Sequence, residues 1–360
     1  MIRVAINGYG RIGRVAHRVI LEKHSSKIDV VGINAGSSTD IKGWMYLLKY
    51  DTAYGPLLNH EIKSEIQSTK SEINSNDPNS NVQKREDYIG SLVIDGKGIP
   101  VFSQKDPTLL PWKDLNVDVV IESTGHFLTE GKLKAHLAAG ARKVVLSAPA
   151  KGGEISTYVL SVNDKNYKGE ALINNASCTT NCIAPVARIM VDNFGVEKAM
   201  MTTIHGYTSD QRLQDGGHKD YRRARAASQN IVPTSTGATI AASEAVPELK
   251  GIFNGLAIRV PVPVGSLSDF SFLLKKDTTV EEINAIFRQE AKNPIYNGIL
   301  DVTEDPIVSS DIIGNPHSSI VDLSLTQVVG GNMAKVIAWY DNEYGYANRL
   351  VEEVILAGKS

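Results

Sequence analysis

Ile2-Arg3-Val4-Ala5-Ile6-Asn7-Gly8-Tyr9-Gly10-Arg11-Ile12-Gly13 stands near the start of a 360-residue sequence and decides its fold. The first six residues form a short, β-branched run of strand character. From Ile12 the apolar residues Val15, Ala16, Val19 and Ile20 recur at helical spacing, and Lys27 to Asn34 reads as a second buried strand. The three glycines therefore sit between a strand and a helix inside one βαβ unit. Glycines gather in many turns, so Gly-x-Gly-x-x-Gly alone says little; in this context it marks dinucleotide binding. Gly8 permits the tight turn, Gly10 lets a pyrophosphate approach the backbone, and Gly13 lets helix and strand pack closely. N–H groups at the helix start then face the anion. The bland alternative is an ordinary strand-to-helix turn.

Outward from this unit the alternation continues. Val117 to Ser123 is an apolar strand, Thr124-Gly125 a turn, Thr129 to Ala141 a helix and Lys143 to Ser147 another strand. Strands alternating with helices predict a doubly wound parallel sheet, an α/β dinucleotide-binding domain. Residues 63 to 87 break the pattern. They are rich in Ser, Asn, Lys and Glu, with Ile62, Ile66 and Ile73 as the few apolar anchors. This composition predicts a solvated surface excursion with little fixed structure.

Apolar residues make up 42% of the chain and charged residues 22%, the balance of a globular protein with a large core, and the length suggests two domains. The formal net charge of −2 gives no reason to expect nucleic acid or an anionic membrane as a partner. The sequence has no secretory-signal pattern, no run near the roughly 18 apolar residues of a membrane helix and no paired Cys/His spacing for a metal. Its two cysteines, Cys178 and Cys182, cannot build a disulfide framework, so a reducing, cytoplasmic setting is expected.

Leu172-Ile173 leads into Asn174-Asn175-Ala176-Ser177-Cys178-Thr179-Thr180-Asn181-Cys182, and Ile183 to Met190 follows with helical spacing. Ser177 reads as an N-cap, which puts Cys178 in the first turn of a helix, where the dipole would stabilise a thiolate and lower its pKa. Pro185 is expected to kink this helix or to place its start later. A nucleophilic cysteine needs a base, and the candidate is His205, at the end of the strand-like run Met200 to Ile204. A buried inert thiol and a satisfied core histidine are the alternatives. Cys182 reads as packed.

At Ser177-Cys178-Thr179-Thr180-Asn181-Cys182 the chain resembles the phosphorylating glyceraldehyde-3-phosphate dehydrogenases, and the likeness runs nearly end to end. It extends through Asn7 to Gly13, Lys49-Tyr50-Asp51-Thr52, Ser147 to Lys151, the S-shaped loop around His218-Lys219-Asp220 and Arg222 to Ala227, Pro233 to Ala238, and Trp339 to Tyr346. The resemblance implies that Cys178 attacks the aldehyde of glyceraldehyde 3-phosphate and that His205 activates the thiol and takes the hydroxyl proton during hydride transfer. Inorganic phosphate would then release 1,3-bisphosphoglycerate from a thioester, reversibly, in the glycolytic or gluconeogenic direction. Asn7, Gly8, Gly10, Arg11, Ile12, Gly13, Ala35, Ser123, Thr124, Asn342 and Tyr346 would meet the nicotinamide dinucleotide. Thr208, Asp210 and Arg259 would bind the substrate phosphate. Ser177, Thr179, Thr180, Thr236, Gly237 and Arg222 or Arg223 would serve the attacking phosphate. Hydroxyls, N–H groups and guanidinium forks suit phosphate oxygens. The resemblance also implies a homotetramer with the S-loop near a neighbour's cofactor.

The chain departs from the family at informative places. NAD-preferring members carry an acidic residue after the second strand, where it binds the ribose hydroxyls; here Ala35 follows Gly32-Ile33-Asn34. Gly217 stands in the S-loop where such members often have Pro, and Val262-Pro263-Val264-Gly265 varies a common pattern. Together with the small residues Gly36-Ser37-Ser38-Thr39, this predicts that NADP is accepted and preferred, with NAD usable. Domains are expected at 1–177, joined by a C-terminal helix at 344–360, and at 178–343, an α+β catalytic domain with a mostly antiparallel sheet. An erythrose-4-phosphate dehydrogenase is the nearest rival; a non-catalytic dinucleotide-binding protein is the other. Thr208 and Thr236 argue against the first, and Cys178, His205 and Arg259 against the second.

Overall fold

The structure, a computed structural model, describes residues 1–66 and 80–359. The chain forms two compact units. One comprises Met1–Ser156, Lys168–Asn175 and Leu350–Ser360; the other comprises Thr157–Tyr167 and Ala176–Arg349.

The first unit is built on strands β1 (Ile2–Asn7), β2 (Ile28–Asn34), β3 (Ile62–Ile66), β4 (Tyr88–Ile94), β5 (Lys97–Phe102), β6 (Val119–Glu122), β7 (Lys143–Leu146), β8 (Ser156–Thr157) and β9 (Leu172–Asn174), in the order β3-β4-β5-β2-β1-β6-β7-β9-β8. Pairing is parallel from β5 through β2, β1, β6 and β7 to β9, as the alternation of strands and helices requires. Helix α1 (Arg11–Val19) follows the glycine turn and runs into a π-turn, Ile20–His24. Helix α2 spans Ile41–Lys49, α3 is the single turn Ser80–Gln83, and α4 spans Glu130–Ala138, inside the expected helical stretch.

The antiparallel edge is what the sequence reading missed. β4 and β5 form a hairpin around Asp95 and Gly96, whose φ angles of 49° and 81° suit a type I′ turn. β3 pairs antiparallel with β4, so the start of the polar stretch 63–87 is an edge strand, with Ile62 buried and Ile66 exposed. Val82, within α3, is buried in the cluster containing Trp112 and Leu110. A ladder offered by β4 and single apolar anchors order these residues; composition alone cannot reveal either. The centre of the stretch, residues 67–79 with Ile73, lies outside the described residues.

The second unit carries β10 (Val196–Gly206), β11 (Val232–Ser235), β12 (Phe253–Val260), β13 (Ser266–Leu274), β14 (Leu300–Thr303), β15 (Ser319–Asp322), β16 (Gln327–Val329) and β17 (Met333–Tyr340). The order is β11-β12-β10-β13-β17-β15-β14, with β16 on β17. Most pairs are antiparallel; β10 with β12 and β14 with β15 are parallel. Between β15 and β16 the Asp322 carboxylate accepts from the Ser324 N–H and turns the chain through Leu323–Leu325. Helix α5 (Cys178–Phe194) buries Cys182, Ile183, Val186 and Met190 in a core with Phe270 and Phe272. Helix α6 spans Ala238–Ala245 and α7 Val280–Glu290; the last helix, α8 (Tyr344–Gly358), starts in this unit and belongs to the first from Leu350 onward.

Candidate active site

Helix α5 begins at Cys178, and the Ser177 hydroxyl accepts from the Thr180 N–H at 3.1 Å, the capping bond expected of Ser before a helix. Pro185 neither moves the start nor interrupts the helix, which is continuous from Cys178 to Phe194; proline in the interior forfeits one backbone bond, and packing against the core holds the helix across it. β10 ends beside that first turn. The Cys178 thiol lies 3.3 Å from His205 Nε2, so two residues far apart in sequence meet as a nucleophile and a base must.

The electrostatics differ from the sequence expectation. Burial pushes the Cys178 thiol up; the Arg259 charge, the Thr179 hydroxyl and the backbone N–H groups of Thr179 and Cys178 pull it back only in part. The helix start does act on the sulfur, but desolvation outweighs it. Burial, then Arg259, holds His205 down at about 3, with the Gly206 carbonyl opposing. The pair thus rests as neutral thiol and neutral imidazole. His205 Nδ1 lies 2.6 Å from both the Gly206 carbonyl oxygen and Arg259 Nη1. A proton on Nδ1 donates to Gly206 and leaves Nε2 as an acceptor facing the thiol. A proton on Nε2 lets Nδ1 accept from Arg259 and offers the sulfur a donor. Cys182 is buried, its thiol pushed up by burial to about 12.

Arg259 is itself mostly buried, and among the described residues its Nε has no partner, which leaves a charged donor for an anion. Thr208 is half-buried, its N–H donating to Gln211 Oε1 at 3.4 Å. Asp210 is committed to Arg223 at 2.6 Å and to His218 at 3.5 Å. Arg223 also donates to the Thr234 hydroxyl and the Ser235 carbonyl, while the neighbouring Arg222 is exposed. The Thr180 hydroxyl lies 2.8 Å from that of Ser177, and the Thr236 hydroxyl accepts from the Ala238 N–H, just past Gly237, which caps α6. Asn342 is buried with its carboxamide oxygen fixed by the Gly265 N–H and the Ser266 hydroxyl. The Tyr346 hydroxyl donates to the carbonyl of Ala176, whose φ of 50° is costly for a residue with a side chain, and so steadies the peptide before the cap.

The glycine turn lies in the first unit. A Cβ on Gly13 would meet the Gly8 carbonyl oxygen at 2.1 Å, and one on Gly8, whose φ is 95°, would meet the Thr124 nitrogen at 2.6 Å. These two glycines serve the chain's own packing. Among the described residues a Cβ on Gly10 would meet nothing within 4 Å, so no contact with them requires that glycine. No side chain caps α1 at Gly10, and its first turn holds no acidic residue. Space at the middle glycine and an uncapped helix start fit a pyrophosphate. Arg11 is paired with Asp51, and Ile12 is the second residue of α1. Ser123 donates to the Gly8 carbonyl at 2.7 Å, and Ala35 is half-exposed at the end of β2.

The comparisons with known proteins bear on both units. The family model described as glyceraldehyde 3-phosphate dehydrogenase, NAD binding domain, matches residues 2–130, and that for the C-terminal domain matches residues 177–342. The chain is 48% identical over 363 residues to glyceraldehyde-3-phosphate dehydrogenase of Mycobacterium avium, covering 100% of this chain and 99% of that one. It is 45% identical over 359 residues to glyceraldehyde-3-phosphate dehydrogenase 2 of Streptomyces avermitilis, covering 99% and 98%. The enzyme of Mycolicibacterium smegmatis is 47% identical over 365 residues, covering 100% and 99%.

The chain belongs to the glyceraldehyde-3-phosphate dehydrogenase family.

It is therefore an oxidoreductase whose N-terminal domain binds a nicotinamide dinucleotide. Among its described residues no helix is long and apolar enough to cross a membrane. Beside the residues that the family resemblance picks out, the structure brings in others. The Tyr340 hydroxyl bridges Thr179 on α5 at 2.9 Å and Thr203 on β10 at 2.7 Å, tying the two elements that carry the cysteine and the histidine. Glu122 is fully buried; its carboxylate accepts from the Asn7 carboxamide, His136 Nε2 and the Thr124 N–H, and Asn7 in turn accepts from Asn34 at 2.7 Å. A charged residue ending the apolar run Val119–Glu122 is a signal that could have flagged it. Tyr340 left no signal beyond its place next to Asp341-Asn342.

Proposed function

We propose that this glyceraldehyde-3-phosphate dehydrogenase is the phosphorylating kind, converting glyceraldehyde 3-phosphate and inorganic phosphate reversibly to 1,3-bisphosphoglycerate through a thioester on Cys178. The observation that carries the reading is the 3.3 Å approach of Cys178 Sγ to His205 Nε2. The sulfur attacks the aldehyde carbon as Nε2 takes the thiol proton and hands it to the new alkoxide oxygen; the resulting hydroxyl gives that proton back to Nε2 as the carbon loses hydride and becomes a thioester. A bound nicotinamide dinucleotide supplies the hydride acceptor. Phosphate oxygen then attacks the thioester carbon, the carbon–sulfur bond breaks, and the thiolate is regained. The two tautomers of His205 suit the alternating tasks of proton acceptor and donor to sulfur. Arg259, with its unpartnered Nε, and Thr208 would hold the substrate phosphate; Ser177, Thr179, Thr180, Thr236, Gly237 and the Arg222–Arg223 pair would receive the attacking one. Asp210 would act by positioning Arg223. The first unit carries the dinucleotide and the second the chemistry.

The cofactor reading favours NADP, with NAD accepted. Residues 35 to 39 bring no carboxylate to the end of β2, and the nearest, Asp40, caps α2 by accepting from the Gly43 N–H. The N–H groups of Ala35 and Ser38 are bonded within the chain, so hydroxyls such as those of Ser37 and Thr39 would supply the donors to a 2′-phosphate. Two free cysteines fit a cytoplasmic enzyme. The deciding experiment is a steady-state assay crossing NAD and NADP with glyceraldehyde 3-phosphate and erythrose 4-phosphate, with and without inorganic phosphate. Phosphate-dependent turnover highest with glyceraldehyde 3-phosphate is expected. A preference for the four-carbon aldehyde, or rates indifferent to phosphate, would overturn the reading.

A further inference from the structure

The ends of three neighbouring strands meet in a polar cluster inside the first unit. Asn7 closes β1, and the sheet register sets it level with Asn34 at the end of β2 and with Glu122 at the end of β6. From β1 the sheet grows to β2 on one side, and from β6 to β7 on the other, so this is the point at which a doubly wound sheet takes its ligand. Asn7, Glu122 and His136 are all fully buried. The two carboxylate oxygens of Glu122 divide four donors. Oε1 takes the Thr124 N–H at 2.8 Å and the Thr124 hydroxyl at 2.5 Å; Oε2 takes the Asn7 carboxamide and His136 Nε2, the latter at 3.0 Å. These last two nitrogens, 3.3 Å apart, both donate to one oxygen. The far side of the His136 ring decides where its proton lies. An indole N–H only donates, and Trp112 Nε1 lies 3.1 Å from His136 Nδ1, so the ring proton is on Nε2 and aimed at Glu122. Asn7 is held from β2 as well, its Oδ1 accepting from Asn34 at 2.7 Å, and its backbone carbonyl accepts from the Ser123 N–H at 2.8 Å.

We propose that Glu122 is a positioning residue for the nicotinamide dinucleotide, locking the Asn7-Gly8 end of β1 and the Thr124-Gly125 end of β6 into one rigid piece before the cofactor arrives. A carboxylate has acceptor positions for all four donors, whereas an amide would turn its own NH₂ toward two of them. Burying a carboxylate is costly, and packed apolar side chains would close this core at least as well, so stability alone does not explain the residue. What it fixes does. One tied end carries Gly8 of the glycine turn. The other carries Thr124, whose N–H and hydroxyl are both given to Glu122, so Thr124 holds its loop in place and gives neither group to a cofactor. Segments fixed in advance lose less freedom on binding. His136 belongs to α4 and Trp112 to the core beneath it, so the restraint is anchored in packed structure. The inference rests on the glycine turn receiving the pyrophosphate.

The test compares full-chain variants by calorimetric titration with NAD and with NADP. Glu122→Gln should weaken binding of both about tenfold or more, the scale of one hydrogen bond to a charged group, and raise the dinucleotide KM in step. At saturating dinucleotide its kcat should stay within about twofold, as should the rate at which iodoacetamide alkylates Cys178 in the free enzyme, because the chemistry is untouched. His136→Gln, whose amide can still donate to Glu122, should bind within about threefold of the unaltered chain, while His136→Leu, which fills the core without a donor, should be as weak as Glu122→Gln. A role in packing alone predicts the opposite order for the two His136 variants. Unchanged affinity in a folded Glu122→Gln, a loss of kcat with affinity kept, or His136→Leu binding as well as His136→Gln would overturn the proposal. If Glu122→Gln does not fold, the two His136 variants still decide. Gly10→Ala separates this inference from the reading beneath it. Normal binding by Gly10→Ala removes the site and the inference together, whereas weak binding by Gly10→Ala beside normal binding by Glu122→Gln removes the part of Glu122 alone.

Discussion

Cys178 and His205 touch because a helix begins where a strand ends, and the chemistry depends on groups that neither element shows alone. Cys178→Ser should abolish acyl transfer, since a serine there is far harder to ionise, and His205→Asn should cost roughly 10²- to 10⁴-fold in turnover. Arg259 lowers the buried thiol's pKa, so Arg259→Met should slow iodoacetamide alkylation of Cys178 at neutral pH; an unchanged rate would show that its charge does not reach the sulfur. His205 titrates at about 3 in the folded chain against an ordinary 6.5. Its folded pKa is depressed, so the unfolded chain binds the extra proton, and stability present above 6.5 is lost as pH falls toward 3. Melting midpoints from pH 7 to 4 should therefore fall less steeply for His205→Asn than for the unaltered enzyme. At the far end of β2, Ala35→Asp should restore an acceptor for the ribose hydroxyls and repel a 2′-phosphate. The ratio of kcat/KM values should shift toward NAD by about tenfold or more, roughly 1.4 kcal/mol. A strong NAD preference in the unaltered enzyme that Ala35→Asp leaves unmoved would remove this account of cofactor choice.

At the scale of elements, the strand–turn–helix of residues 2 to 19 separates two uses of glycine that its motif merges. Gly13→Ala would set a Cβ 2.1 Å from the Gly8 carbonyl oxygen, so strand and helix must part, at a cost of roughly 1–3 kcal/mol or more. Gly10 has φ of −71°, which alanine adopts freely, and open space around it. Gly10→Ala should therefore leave the melting midpoint nearly unchanged while weakening dinucleotide binding about tenfold or more. Calorimetric titration beside thermal melting distinguishes the two; a Gly10→Ala variant that binds normally would show that the space is not used. This turn was legible because strand, glycines and helix are contiguous, and so were the parallel strands, whose β-branched runs need no distant partner to be noticed. The β3–β4–β5 edge was not. Asp95-Gly96 is a hairpin signal masked by the polar stretch beside it, and the strand character of Ile62–Ile66 comes from the ladder β4 provides. At the site, Ser177 and Cys178 could be read from local spacing and His205 proposed as a base. The burial that raises the thiol, and the Tyr340 bridge between Thr179 and Thr203, exist only once α5, β10 and β17 have packed.

For the whole molecule, the second unit leaves bulky apolar side chains in water. Leu213, Tyr221, Ile231 and Ile240 are 81%, 87%, 70% and 70% exposed, all within one segment that includes the S-loop. Single exposed apolar residues are ordinary on a soluble surface, whereas several in one segment point to a surface covered by another chain. The family resemblance implies that the cover is further copies of this chain, arranged as a homotetramer with the S-loop near a neighbour's cofactor. Light scattering after gel filtration should then give about four times the 39.0 kDa chain mass. Placing a carboxylate at each of the two most exposed positions, with Leu213→Asp and Tyr221→Asp together, would force charge into the contact, and removing an unpaired charge from water costs several kcal/mol. The double variant should fall to a smaller species while each protomer keeps its far-ultraviolet circular dichroism, because neither residue belongs to its own protomer's core. If the S-loop serves a neighbour's cofactor, dinucleotide affinity should drop together with the mass and recover together with it at high protein concentration, since association follows mass action. An unaltered chain that elutes as a 39.0 kDa species, or a double variant that stays at the larger mass, would show that this segment is open surface and that the apolar side chains have another use.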